Sequence, residues 1–269
     1  MLSMTRYTVK NERLAPMVKF IWHFEAKNAN IHSKLLPTDC IDVIINLSNN
    51  MIYETDSQKI IAPPFHVNGL RNKYSYIHQT GTIQIFGISF YSFGLFPFVH
   101  KSLEHIQNKI VDLHTLSIPL AHKLKLAVSN NTADDTILII EKMLFSELQV
   151  NNDYMSNANL INDFIETDEN ITIQSFCKEY GINIKTFERM VLRYTGYTPK
   201  TLKRIKRFQA ASNQLIHQNP ENLSDVAYDN SFADQAHLIK EFRKFSGTAP
   251  RALQQEKSTI KENTNYSYI

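Results

Sequence analysis

Cysteine is nearly missing from this chain: Cys40 and Cys177 are the only two in 269 residues. So few thiols exclude a disulfide framework and a paired-thiolate zinc pattern. Glycine is scarce too, with seven in all, and there is no Gly-rich phosphate loop, nucleophile elbow or His-Glu-x-x-His motif. The longest apolar run, Phe93 to Val99, is far too short to cross a bilayer. Met1 to Tyr7 lacks the apolar core of a signal peptide, so a soluble cytoplasmic protein is expected. Eight histidines fall within residues 1–122: His23, His32, His66, His78, His100, His105, His114 and His122. No two are separated by two residues, and the five-residue step from His100 to His105 would not share a helical face. The ligand spacing of a cupin metal site is therefore absent, and no metal, cofactor or catalytic residue is expected.

What is present is a core and a repeat. Hydrophobic residues make up 43% of the chain, enough for packed domains, and the length suggests two of them. Between residues 171 and 253 one helix-turn-helix pattern occurs twice. The first copy runs Phe176-Cys177-Lys178-Glu179-Tyr180-Gly181, then Phe187, Val191 and Tyr194, then Gly196-Tyr197-Thr198-Pro199. The second runs Val226-Ala227-Tyr228-Asp229-Asn230-Ser231, then Leu238, Phe242 and Phe245, then Gly247-Thr248-Ala249-Pro250. Cys177 and Ala227 are 50 residues apart and Gly196 and Gly247 are 51 apart, so one residue is inserted at the second turn. Each apolar trio has i, i+4, i+7 spacing, the stripe of an inward-facing helix. A small residue on the preceding helix lets the two helices of each unit approach.

Charge is divided unevenly along the chain. The total is +3, yet residues 171–257 hold 14 Lys/Arg against 8 Asp/Glu, a net +6, while residues 1–170 hold 14 against 17, a net −3. A basic C-terminal third behind an acidic N-terminal part fits a phosphate-binding module on its own domain.

The repeat, and above all Leu223 to Ala227, Ser231 to Leu238 and Phe242 to Pro250, resembles the DNA-binding domain of the AraC/XylS-type bacterial transcription regulators. The likeness covers about a hundred residues, Ser156 to Lys257. It implies two helix-turn-helix units joined by a long helix. Ser231 departs from the glycine usual in the family, which would strain the turn if a positive φ is needed. Leu192 departs from a frequent basic residue, which removes one phosphate contact. Val18 to Trp22, Leu36 to Leu47 and Gly87 to Phe90 with Gly94 resemble a domain found ahead of this one in some members. By that likeness the N-terminal half is a β-barrel or cupin-like sensor or oligomerisation domain.

The expected fold class is α+β in two domains: an N-terminal β-rich barrel or cupin-like domain with following helices, then an all-α double helix-turn-helix domain. Strands are expected at Val18–Glu25, Ile41–Leu47, Met51–Thr55, Ile60–Ile61, Phe65–Val67, Lys73–His78 and Thr82–Phe90, with Ile41–Thr55 as a hairpin. Helices are expected at Phe93–Ile106, Pro119–Val128, Ala133–Leu148 and Met155–Ile165. The domains divide as residues 1–150, a polar linker 151–158, the DNA-binding domain 159–257 and a disordered tail 258–269. Thr198-Pro199 caps and starts the connecting helix, which runs to about His217. The resemblance implies that the arginine near Arg207 on that helix is partly structural.

The recognition helices are expected at Asn183–Tyr194 and Asp234–Phe245. Lys185, Thr186 and Arg189 on the first, and Gln235, His237 and Lys240 on the second, face outward as base readers. Arg193, Arg243 and Lys244 lie later and suit phosphates; intra-domain pairing is the competing reading for Arg189 and Lys240. Ile137, Ile140, Leu144 and Leu148 share one helical face, either packed on the β domain or forming a homodimer contact. The partners implied are double-stranded DNA, a small-molecule effector and, for an activator, RNA polymerase. Two alternatives stand beside the DNA-binding regulator: a DNA-alkylation-responsive protein with a reactive cysteine, opposed at Cys40 by Asp39 and Asp42, and an interaction module that binds no DNA.

Overall fold

Alternating apolar residues build the N-terminal part, and two long strands organise it. The computed structural model describes residues 2–55, 57–129, 131–148, 152–168 and 171–260. The strands are β1 (Leu2–Tyr7), β2 (Val18–Leu35), β3 (Cys40–Asn46), β4 (Ile52–Glu54), β5 (Lys59–Ile61), β6 (Phe65–Asn68), β7 (Ser75–Tyr91) and β8 (Ile110–Asp112). Their pairings are antiparallel, in the order β1-β2-β7-β3-β6-β8, with β4 joining β7 and β5. β3 shows why the core has two sides. Ile41, Val43 and Ile45 enter one buried cluster and Ile44 the other, as a side-chain period of two requires.

The α+β two-domain class stands as expected, but the sheet is open. β1 and β8 are its ends and do not pair with each other, so it is not closed into a barrel. The expected Ile41–Thr55 hairpin does not form. β3 already has β7 and β6 on its two edges, so β4 pairs with β7 and β5 instead. The two strands expected at Lys73–His78 and Thr82–Phe90 are one strand, bent at Gly81 (φ 94°) opposite a register shift between Ala26 and Ala29 in β2.

The helices follow as α1 (Phe96–Val99), α2 (Leu113–Leu116), α3 (Ile118–Ala127), α4 (Ala133–Glu147), α5 (Asn152–Glu166), α6 (Ile173–Glu179), α7 (Ile184–Thr195), α8 (Pro199–Gln218), α9 (Leu223–Asp229), α10 (Gln235–Ser246) and α11 (Pro250–Ile260). The helix expected over Phe93–Ile106 is broken. α1 stops at His100, which is left-handed at φ 51°, and Leu103–Ile106 forms a separate 3-10 turn.

Two further expectations are corrected. Ile137, Ile140 and Leu144 are 3%, 0% and 0% exposed inside the chain's own core, with Leu148 packed against it. That face of α4 packs within the chain, so it cannot be the dimer contact. Glu141 on the same helix accepts the backbone N–H groups of Lys10 and Asn11 and ties α4 to the segment before β2. The polar stretch 151–158 is helical from Asn152 onward rather than a linker. Tyr154, Ala158 and Ile161 of α5 are buried at i, i+4, i+7, and this periodicity outweighs the asparagines around it. Of the expected tail, residues 258–260 end α11, and 261–269 lie outside the described residues.

Candidate nucleic-acid interface

Each helix-turn-helix unit is made by a cap, a small residue and an apolar stripe. In the first, Thr172 caps α6 and Asn183 caps α7, whose side chain accepts from the N–H groups of Lys185 and Thr186. In the second, Asn222 caps α9 and Asp234 caps α10 through the N–H of His237. The inward stripes Phe187, Val191, Tyr194 and Leu238, Phe242, Phe245 are buried, as are Cys177 and Ala227 where the helix pairs meet. Both recognition helices end at a left-handed glycine, Gly196 at φ 83° and Gly247 at φ 74°.

The outward faces differ in detail. Lys185, Thr186 and Arg189 on α7 are exposed, and so are Gln235 and Lys240 on α10. Arg189 and Lys240 occupy equivalent positions 51 residues apart, and neither has an ion pair or hydrogen bond among the described residues. Gln235 is held by Ser224, whose hydroxyl donates to its Oε1 at 3.2 Å. His237 is half-buried: its Nδ1 lies 3.2 Å from the N–H of Ala233, and its ring meets Phe232 edge-on. It therefore braces the turn as well as facing out. Arg243 and Lys244 are exposed near the end of α10. Arg193, their counterpart on α7, lies over the Phe96 ring at 5.4 Å, so its guanidinium is shared with the N-terminal domain.

Four basic residues of α8 are engaged within the domain, while Lys200 in its first turn is exposed. Lys203 Nζ donates to the backbone oxygens of Thr167 and Asp168 and to Thr167 Oγ1. Lys206 bonds Ile165 O and pairs with Glu166. Arg207 donates to Ser231 O and covers Phe232. Arg204 forms a two-pronged pair with Glu241 of α10. The exposed cations without a partner among the described residues therefore include Lys185, Arg189, Lys240, Arg243 and Lys244 on α7 and α10, with Lys178 on α6 and Lys200 at the start of α8.

One repeated device lies outside the apolar stripes. Thr195 and Ser246, also 51 residues apart, are buried hydroxyls before the glycine turns. Thr195 Oγ1 lies 2.8 Å from Val191 O and accepts from Tyr197 N–H. Ser246 Oγ lies 2.8 Å from Phe242 O and accepts from Thr248 N–H. Each hydroxyl closes the last turn of its recognition helix onto the chain leaving it.

The N-terminal domain reaches both of those turns. Phe96 stacks on Tyr194 at 4.2 Å and 10°, with Tyr154 stacked beside them. A Cβ on Gly196 would lie 2.6 Å from Leu103 O, and one on Gly247 would lie 2.4 Å from the Tyr74 ring. At Gly196 the obstacle is backbone and only glycine allows the approach; at Gly247 it is the end of the Tyr74 side chain, and the positive φ is what favours glycine. Cys40 is buried beside Asp39 and Lys19. Burial and the Asp39 charge push its thiol well above the ordinary range, against the balancing pull of Lys19. Such a thiol is a poor nucleophile at neutral pH.

Two family models match the chain: a helix-turn-helix domain over residues 176–256 and a domain of unknown function over residues 11–112. The HTH-type transcriptional activator RhaS of Citrobacter koseri is 25% identical over 127 residues, 46% of this chain and 44% of that protein. RhaS of Escherichia coli O139:H28 is 26% identical over 132 residues, 46% of this chain and 47% of that protein. The chain thus spans under half the length of these relatives. Among solved structures, ToxT from Vibrio cholerae O395 aligns over 97% of this chain and 98% of its own at TM-score 0.46 and 12% identity.

Proposed function

We propose, from the premise that this chain belongs through its C-terminal domain to the AraC/XylS-type transcription regulators, that it binds specific duplex DNA by inserting α7 and α10 into successive major grooves. The observation that carries this reading is the distribution of free charge. Four of the five Lys/Arg side chains of α8 (Lys203, Arg204, Lys206 and Arg207) are held inside the domain and only Lys200 at its start is exposed, whereas Arg189 and Lys240 stand exposed and unpaired at equivalent positions on the two recognition helices. Exposed cations on two recognition helices suit phosphates and guanine edges, and Gln235 suits adenine. Base reading is assigned to Lys185, Thr186, Arg189, Gln235, His237 and Lys240, and backbone contact to Arg193, Arg243 and Lys244. The contacts of the N-terminal domain with both glycine turns support a regulatory role for that domain: whatever shifts it would shift the heads.

Hydroxyl-radical footprinting of the full chain tests the groove assignment. Two protected patches about one helical turn, ~34 Å, apart on one DNA face are expected. One short patch from a monomer would leave a single reading head.

A further inference from the structure

Arg71 stands out among the buried groups that DNA binding leaves unused. It is 9% exposed, on the segment between β6 and β7. Its Nη1 donates to Ser75 Oγ at 2.8 Å and its guanidinium lies over the Tyr53 ring at 5.2 Å, with the Asp42 charge acting on it, while its Nη2 is buried without a hydrogen-bond partner. No carboxylate lies within ion-pairing distance of it among the described residues. A buried guanidinium with an unsatisfied N–H is costly; the Tyr53 ring and the Asp42 charge offset part of that cost, and an anion would offset more of it. Arg71 lines two cavities. The inner one, about 60 Å³, also holds Asp42, which repels an anion and is small against the ~150 Å³ that holds benzene. The outer one, about 210 Å³, is lined by Arg71, Lys73, Tyr53 and Tyr74 among others, and by no carboxylate among the described residues. Lys73 is exposed at its rim and has no ion pair among the described residues.

We propose that the outer cavity is a binding site for a small organic carboxylate, held by Arg71 and Lys73 with its body against the Tyr53 and Tyr74 rings, and that its occupancy is coupled to DNA binding. The inference deepens the regulatory role given above to the N-terminal domain, and its coupling half rests on that reading. Arg71 gives a preorganised, charge-assisted donor, Lys73 a second positive charge, and the aromatic rings an apolar wall. The coupling follows from what the same residues touch on their other side. Tyr74 packs on Gly247 at the end of α10. Asn108, which also lines the cavity, hydrogen-bonds the backbone N–H of Asn72 and lies against Tyr197, just after α7. A ligand that moves Tyr74 or Asn108 therefore acts at the turns leaving both recognition helices. By linkage, the factor by which it changes DNA affinity equals the factor by which DNA changes its own.

The test uses the full chain and the probes acetate, propionate, succinate and benzoate, with succinamide as a neutral control and inorganic phosphate to separate a carboxylate from a phosphoryl site. Amide chemical shifts at Ser75, Tyr74 and Asn108 are followed against probe concentration, and duplex-DNA affinity is measured with and without the probe. At least one carboxylate should bind saturably, succinamide should not, and Lys73→Met and Arg71→Met should each weaken binding about tenfold or more. Arg71→Met bears on a buried site, whereas Lys73→Met removes an exposed charge and keeps the fold as a control. Phosphate binding without any carboxylate binding would overturn the proposal in favour of a phosphoryl ligand. Shifts that survive both substitutions, or no saturable carboxylate shift, would overturn it outright. DNA binding that is intact but indifferent to a bound carboxylate would remove the coupling alone. A chain that binds carboxylate but no DNA would sink the regulator reading and leave the site standing.

Discussion

Ser231 adopts the left-handed backbone of Gly181, its counterpart 50 residues earlier, at φ 56° against 64°. The inserted residue of the second unit falls after this turn, so both turns keep the same shape with different residues. A side chain at this φ costs about 1–2 kcal/mol that glycine avoids, partly returned because glycine has more freedom in the unfolded chain. Ser231→Gly should therefore stabilise the domain by about 0.5–1 kcal/mol. A Cβ at Gly181 would meet nothing within 4 Å, so Gly181→Ala isolates the backbone term and should destabilise by about 1 kcal/mol. Urea denaturation midpoints of the two variants check this, and opposite signs are required.

The Arg204–Glu241 pair joins the connecting helix to the second recognition helix through bonds of 2.8 and 2.7 Å. Burial alone would raise the Glu241 carboxyl, but the Arg204 bonds overcome it and hold it below its ordinary value. Removing one partner leaves the other partly buried and unpaired, so Glu241→Ala should cost about 2–3 kcal/mol, nearer the value for a charged hydrogen bond than for a fully buried pair. A carboxyl with a lowered folded value adds stability above its unfolded value and loses it as pH falls through the folded one. The wild type should accordingly lose more stability on acidification below the ordinary glutamate range than Glu241→Gln does, as read from denaturation midpoints against pH.

The helical domain was legible because its signals are local. The apolar stripes and the Thr198 cap act within one or two turns, and α7, α8 and α10 begin and end within a residue of the sequence expectation, Asn183 and Asp234 proving to be caps rather than first helical residues. The sheet was less legible because pairing is non-local. Nothing within Ile41–Thr55 says that β3 will be covered on both edges by β7 and β6. The apolar face of α4 is evident from its own residues, but whether such a face meets its own chain or another is decided by α3, β2 and the residues before β2, which lie outside α4. Arg71 was invisible for the same reason: its burial depends on strands far apart in sequence, and a lone arginine after Gly69-Leu70 carries no local mark. The bracing of Gln235 by Ser224 spans a helix-turn-helix and was equally out of reach.

His66 gives a pH prediction with a definite window. It is fully buried in β6, with Nδ1 2.7 Å from Pro63 O and Nε2 3.0 Å from Tyr53 OH. Nδ1–H therefore donates to the carbonyl and Nε2 accepts from the phenol, which in turn accepts from Asn68 Nδ2. Burial lowers its pKa from 6.5 to about 4, against the raising effect of the Pro63 bond. The unfolded chain then takes up a proton that the folded chain refuses, so this residue's contribution is complete above pH 6.5 and is lost as pH falls towards 4. The loss amounts to about 3 kcal/mol at the acid end. His66→Gln, which keeps an acceptor and a donor but does not titrate, should be less stable at pH 8 and should lose less stability than wild type between pH 7 and 4. Parallel curves for the two proteins would mean that His66 is not what titrates.

Reading and holding should separate on α10. Gln235 is exposed, and its Oε1 is fixed by the Ser224 hydroxyl. That bond engages Oε1 and leaves the N–H₂ group without a partner among the described residues, so it can donate to a base acceptor such as adenine N7. Gln235→Ala should change base preference at adjacent positions only, at a cost of about 1–3 kcal/mol on the preferred site if Oε1 also accepts from the base through its second lone pair, making the contact bidentate. Ser224→Ala leaves the reading side chain in place but frees its rotation. It should blur the same positions by a smaller amount while leaving binding to random duplex unchanged. Arg243 is exposed later on the helix and has no partner among the described residues, so its contact should be with phosphate. Arg243→Ala should weaken all sequences alike and lower the slope of log K against log salt by about one, because one fewer counterion is released. Selection of bound sequences from a random pool, combined with salt titrations of the three variants, makes the comparison. If Gln235→Ala and Arg243→Ala lose affinity equally on every sequence, α10 holds DNA without reading it. Sequence discrimination would then rest on Lys185, Thr186 and Arg189 of α7.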